Sequence, residues 1–217
     1  MSSSTTPTSA PPKTPKPKIY LAGPDVFYPN AVARGLELKA LCTLHGAIGL
    51  FPLDNEISSV ELGSHAMADA IRTANMKLIA SADGILANIT PELEHTKQNT
   101  NSPSQMTPFR GPSMDVGTAY EMGAGAALGK HILGYLRGEK LGYTKKVQAV
   151  HKVERHTDGH LRDEQGWSVE EFLEVDGQDG LVDNLMIACG VEKLCMSEEE
   201  GIKALVDIWR RKQERGQ

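Results

Sequence analysis

What this sequence lacks narrows its role before any motif is read. It has three cysteines, Cys42, Cys189 and Cys195, an odd count without metal-ligand spacing. That pattern excludes a disulfide framework and a zinc site and predicts reduced thiols in a cytosol-like, cytoplasmic setting. No uninterrupted apolar run is long enough to span a bilayer; the nearest approach, residues 118–136, is broken by Glu121 and Lys130. An excess of basic charge is also missing: 23 Lys and Arg against 28 Asp and Glu give a net charge of -5, no electrostatic reason to bind nucleic acid. The opening "MSSSTTPTSAPPKTPKPK" has no apolar block and so cannot be a secretory leader; residues 1–17 read as a disordered tail. No internal repeat is present. A soluble protein with a small-molecule partner, no cofactor and no bound metal is expected.

What is there suits one core. At 217 residues, 40% hydrophobic and 24% charged, the chain fits one domain over residues 18–217. The run "IYLA" halted by Gly23-Pro24 reads as a buried strand entering a loop. A helix follows, with Val32, Leu36, Leu38, Leu41 and Leu44 near helical spacing and Gly46 as its stop. "AIGLFPLDNE" reads as a second strand with a polar loop. The next helix carries Met67, Ile71, Ala74 and Leu78 on one stripe, then "GILANIT" forms a third strand. Residues 91–112 make a polar, proline-containing loop. A helix around Glu121, the strand "HILGYL", an irregular charged region over 137–183, a short ordered return at "DNLMIACG" and a terminal helix complete the chain. Strands alternating with helices imply an α/β, doubly wound parallel sheet with its ligand site beyond the carboxyl ends of the strands.

Glu121 is the residue that poses a chemical question. With Asp115 or Ser113 as helix cap, Gly117, Glu121 and Gly125 share one stripe among small residues. The carboxylate either faces solvent or points into a tight place. At the expected sheet edge it would meet Tyr20, Asp25, the run Asp54-Asn55-Glu56, Asn88, Thr90 and Asp115, each of which also has an ordinary role as core tyrosine, turn residue or cap. A carboxylate in a partly dry pocket can act as base, acid or nucleophile, and a sugar anomeric carbon is the electrophile that suits it. "GAGAALG" is not a dinucleotide fingerprint, because it lies inside the helix and does not follow a strand. His151, His156, Asp158, His160 and Asp163 fit no metal frame and read as a solvated loop.

Taken in order, "KIYLAGPDVF", "FPLDN", "ADGILANITP", "PFRGPSMDVGTAYEMGAGAALGK" and "DNLM" resemble the nucleoside 2-deoxyribosyltransferases over residues 18–186. The resemblance implies a flavodoxin-like fold and transfer of 2-deoxyribose between nucleobases through a covalent glycosyl-enzyme with retention. Glu121 matches the family's nucleophile, Tyr20 the tyrosine that holds it, and Asp115 an aspartate on the sugar's hydroxymethyl side. Asn184 and Met186 match a segment that reaches a neighbouring subunit's site, so a homo-oligomer with shared sites, dimer-based or hexameric, is implied. Gly23, Asp25, Asn55, Glu56, Asn75, Asn88, Phe109, Arg110 and Gly117 complete the expected binding set. The form "PFRGPSMD" resembles purine-favouring members.

Three departures stand out. Asn75 occupies the place of an aspartate that protonates the leaving base in similar sequences, Glu56 that of a glutamine, and residues 92–107 look like a surface insertion. Two other functions remain open: a deoxynucleoside or deoxynucleoside 5′-monophosphate N-hydrolase, which resembles this sequence with serine in place of Asp115, and a non-catalytic nucleotide-sensing module.

Overall fold

The computed structural model describes residues 15–55, 61–91, 111–172 and 180–216. The predicted insertion at 92–107 and most of the predicted tail lie outside these residues. Pro17, assigned to the tail from sequence, is buried, and its carbonyl accepts from Ile48 N.

The chain runs β1 (Lys18–Ala22), α1 (Ala31–Leu44), β2 (Ile48–Leu50), α2 (His65–Ser81), β3 (Gly84–Asn88), α3 (Val116–Ala127), β4 (His131–Tyr135), α4 (Tyr143–Val150), β5 (Val153–Arg155), β6 (Leu161–Asp163), α5 (Leu185–Ala188), β7 (Lys193–Cys195) and α6 (Glu198–Arg215). Five strands form one parallel sheet in the order β2-β1-β3-β4-β7. This is the flavodoxin-like, doubly wound arrangement in a single domain, with its switch point between β1 and β3. Among the described residues no helix is long and apolar enough to cross a membrane.

Alternation along the strands divides the core. Ile19, Leu21, Leu86 and Leu133 face α1 and α6, whereas Tyr20, Ala22, Ile85, Ala87 and Ile132 face α2 and α3. Glycine permits close approach on both faces. A Cβ on Gly125 of α3 would lie 2.1 Å from Ile85 Cδ1, and one on Gly201 of α6 would lie 2.3 Å from Leu86 Cδ1.

Four sequence expectations are corrected. On α1 the buried stripe is Ala31, Gly35, Leu38 and Cys42, while Val32, Leu36 and Leu44 are exposed. The small residues win because Gly35 lets the helix close onto the Phe51 ring. On α2 the fully buried position is Ile79, not the stripe through Ile71. The 137–183 region is not irregular throughout: it contains α4 and an antiparallel β5–β6 hairpin that carries the histidine-rich segment. The fifth strand, β7, was missed because three residues with one buried side chain carry no period.

Candidate active site

Tyr20 sits in the middle of β1, paired with Leu50 of β2 and Ile85 of β3, and is fully buried on the α2/α3 face. Gly125 brings α3 down onto Ile85. Glu121, one turn earlier on the same stripe, then reaches the phenol: Tyr20 Oη donates to Glu121 Oε1 at 2.6 Å. The small residues around the carboxylate are what permit a short side chain to meet the sheet.

The surroundings tune both groups. Burial raises the Glu121 pKa from the ordinary 4.5 to about 7; the Tyr20 hydrogen bond opposes this, and the Asp115 charge adds to it. Burial, and then the carboxylate beside it, pushes the Tyr20 phenol far above its usual range, so it stays protonated and donates. Glu121 is therefore a carboxylate held by one strong hydrogen bond in a poorly solvated place, suited to nucleophilic or acid–base work.

Asp115 caps α3. Its Oδ2 accepts from Thr118 N and Thr118 Oγ1, both at 2.7 Å. Its Oδ1 is buried and, among the described residues, has no hydrogen-bond partner. An orphaned buried acceptor is costly unless a ligand hydroxyl or a water supplies the missing donor. Gly117 stands beside it, where a Cβ would come within 3.2 Å of Asp115 Oδ2.

The loop that delivers Asp115 is fastened by a residue that sequence reasoning did not single out. Asp183, fully buried, accepts from Met114 N at 2.9 Å, from Asn184 N at 2.7 Å and from the Ser113 hydroxyl. It thus ties the Asp115 loop to the segment bearing Asn184 and Met186. The "DNLM" string contained the signal; its aspartate went unweighed. Asn184 caps α5 through Met186 N and donates to Glu170 Oε1 at 2.6 Å, and Met186 is 75% exposed.

Gly23, Asp25 and Asn88 are brought together beyond β1 and β3. A Cβ on Gly23 would lie 2.8 Å from both Asn88 Cβ and Asp25 Oδ2. Asp25 Oδ1 accepts from Arg34 Nε at 2.9 Å and Arg137 at 3.0 Å, and Asp25 Oδ2 from Asn88 Nδ2 at 2.9 Å. Glu198 completes the network through Arg34 at 2.5 Å. Asp25 and Asn88 therefore have protein partners and brace the loop after β1. Across the site, Asn55 and Asn75 hydrogen-bond to each other at 3.1 Å. Glu56, Phe109 and Arg110 lie outside the described residues. Among the described residues no group of three or more His, Cys, Asp or Glu is placed to hold a metal ion.

A doubly wound sheet with a phenol-held glutamate on one face defines the class of site, and comparison with known proteins supplies the family. The family model for nucleoside 2-deoxyribosyltransferase matches residues 19–186. The chain belongs to that family. Its fold is similar to that of a 2-desoxiribosyltransferase from Leishmania mexicana, at 30% identity and a TM-score of 0.59, covering 89% of this chain and 98% of that one. A conserved protein from Enterococcus faecalis, at 16% identity and a TM-score of 0.51 over 88% of this chain and 98% of that one, shares the fold. An uncharacterized Schizosaccharomyces pombe protein is 32% identical over 137 residues, 63% of this chain; the match spans 57% of that relative's length.

Proposed function

We propose that the protein transfers 2-deoxyribose between nucleobases, with purines favoured, through a covalent deoxyribosyl-Glu121 intermediate. The observation that carries this reading is the 2.6 Å Tyr20–Glu121 hydrogen bond on the buried face of the sheet. A Glu121 oxygen closes on C1′ as the glycosidic bond breaks, and the electron pair leaves with the base nitrogen. The ring nitrogen of a second base then displaces Glu121, and two inversions give retention. Tyr20 holds the nucleophile in line.

Asp115 favours nucleosides over nucleotides. Its buried, unpartnered Oδ1 suits a sugar hydroxyl, and a carboxylate at that position would repel a phosphate dianion. That argues against the monophosphate hydrolase reading. Asn184 and the exposed Met186 are proposed to reach a neighbouring subunit's site in a homo-oligomer. Gly117 and Gly23 are proposed as the places where ligand passes close to the backbone. The protein's setting is proposed to be cytoplasmic, in keeping with three free thiols.

The test is base exchange: 2′-deoxyinosine incubated with and without adenine, and 2′-deoxyguanosine monophosphate separately. 2′-Deoxyadenosine formed only with adenine present supports transfer. Free hypoxanthine without exchange, or cleavage of the nucleotide alone, would replace it with the hydrolase reading, and no reaction at all would favour the sensing module.

A further inference from the structure

The pair Asn55 and Asn75 is ordered from the backbone outward. The turn Pro52–Asp54 is fixed first: Asp54 N donates to Phe51 O at 2.9 Å, Phe51 N to Asp54 Oδ2 at 3.0 Å, and Lys39 Nζ binds Asp54 Oδ1 at 2.5 Å. Asn55 leaves that turn and its Nδ2 donates to Pro52 O at 3.0 Å. A backbone carbonyl only accepts, so the Asn55 amide can have only one orientation. Its second N–H then goes to Asn75 Oδ1 at 3.1 Å, which fixes the Asn75 amide in turn.

What remains is polarised. Among the described residues the Asn75 N–H groups and the Asn55 carbonyl oxygen have no partner. Asn75 lies one helical turn before Ile79, which is buried in the same cluster as Tyr20 and Met122, and Leu50, the β-pair partner of Tyr20, packs against that cluster too. The pair therefore lies on the α2 side of the sheet face that carries the Tyr20–Glu121 bond, offering the Asn75 N–H groups and the Asn55 carbonyl oxygen and no titratable proton.

Among the described residues no neighbouring titratable group fills that gap. The titratable side chains of α2, His65, Asp69, Arg72 and Lys77, are exposed, and Asp54 is paired with Lys39. On α3, Glu121 must be ionised to attack and Asp115 serves the helix N-terminus. The Tyr20 proton is committed to Glu121.

We propose that Asn55 and Asn75 form a neutral clamp that binds the leaving nucleobase by hydrogen bonds but gives it no proton, so bases leave in the order of their own N–H acidity. This rests on the transfer reading of the Tyr20–Glu121 pocket. As the C1′–N bond breaks, its electron pair stays on the base nitrogen while Glu121 bonds to C1′. The base nitrogen takes its proton from water, and the hydroxide formed is consumed when the incoming base loses its own ring proton. Hydrogen bonds from Asn75 stabilise the departing anion without transferring charge.

The experiment uses substrate pairs matched in size but not in base acidity: 5-fluoro-2′-deoxyuridine against 2′-deoxyuridine, and 2-fluoro-2′-deoxyadenosine against 2′-deoxyadenosine. Each fluorinated member should react about tenfold faster or more in kcat/KM with the native protein. In Asn75→Asp, followed across a pH series that spans the ionisation of Glu121, the advantage should shrink to about threefold or less as the poorer leaving groups speed up. Equal rates within each pair in the native protein would overturn the inference and leave transfer standing.

Calorimetry with free adenine and hypoxanthine supplies a readout independent of chemistry. Asn75→Ala, and Asn55→Ala as a variant outside the helix, should weaken base binding about tenfold. Unchanged binding in both would overturn the clamp. Base binding that depends on Asn75, with no turnover of any deoxynucleoside, would instead overturn the transfer reading and keep the clamp.

Discussion

The two sides of the sheet's carboxyl edge are built on opposite terms. Toward α1 and α6, the charges of Asp25, Arg34, Arg137 and Glu198 are paired with one another, and Asn88 ties them to β3. Toward α2 and α3, a buried Asp115 oxygen has no partner among the described residues, the Glu121 pKa is driven up to about 7, and the Asn55–Asn75 pair retains free hydrogen-bonding capacity. A satisfied network holds geometry but has little left to offer a ligand. Unsatisfied groups cost stability, and a ligand that completes them recovers it. On the proposed reading the first side is scaffold and the second carries the chemistry.

The sharpest way to break that contrast is to remove one residue from each side. Glu121→Ala should lower transfer by about 10⁴-fold or more while circular dichroism and elution volume stay unchanged. A variant with substantial activity would end the proposed mechanism. Glu121→Gln should be equally inactive yet more heat-stable at pH 8. The sign follows from the raised pKa: ionising Glu121 in the fold costs nothing below about pH 4.5, increasingly more up to about 7, and on the order of 3 kcal/mol above it. The neutral amide of Glu121→Gln escapes that penalty, so the variant's advantage in Tm should vanish near pH 4. Asp25→Ala should do the reverse, lowering stability by about 2–3 kcal/mol because Arg34, Arg137 and the buried Asn88 lose the carboxylate they share. Its residual activity per folded molecule should stay within about tenfold of the native value.

Legibility in the sequence followed the same division. The alternation of the first four sheet strands with helices, the Asp115 cap and the placing of Glu121 near Tyr20 could be read because buried runs, caps and a motif set each leave a local mark. The α1 stripe could not, because Gly35 packing on Phe51 is a pair contact invisible to hydrophobic periodicity, which preferred the exposed Leu36 and Leu44. The Asp25 network joins four elements through residues as far apart as Asp25 and Glu198, and no spacing rule links them. Asp183 was within a recognised string, but its role depends on Ser113 and Met114 across the fold. The polarity of the Asn55–Asn75 pair required knowing that Pro52 O lies beneath it.

The smaller predictions concern the pH at which Glu121 becomes a nucleophile, and here two neighbours should act with opposite sign. In the native protein kcat/KM should rise through about pH 7 as the carboxylate ionises. The Tyr20 hydrogen bond lowers the Glu121 pKa, so Tyr20→Phe should move that limb to higher pH, with about 10- to 100-fold lower kcat on the plateau. The Asp115 charge raises the same pKa, so Asp115→Asn should move the limb to lower pH, while KM for the nucleoside rises about tenfold through the lost hydroxyl partner. Global loosening would shift both variants the same way, whereas opposite displacements require that one carboxylate, Glu121, feels both neighbours. A limb that stays put in both variants would assign the titration to another group and detach the pH dependence of the reaction from the Tyr20–Glu121 bond.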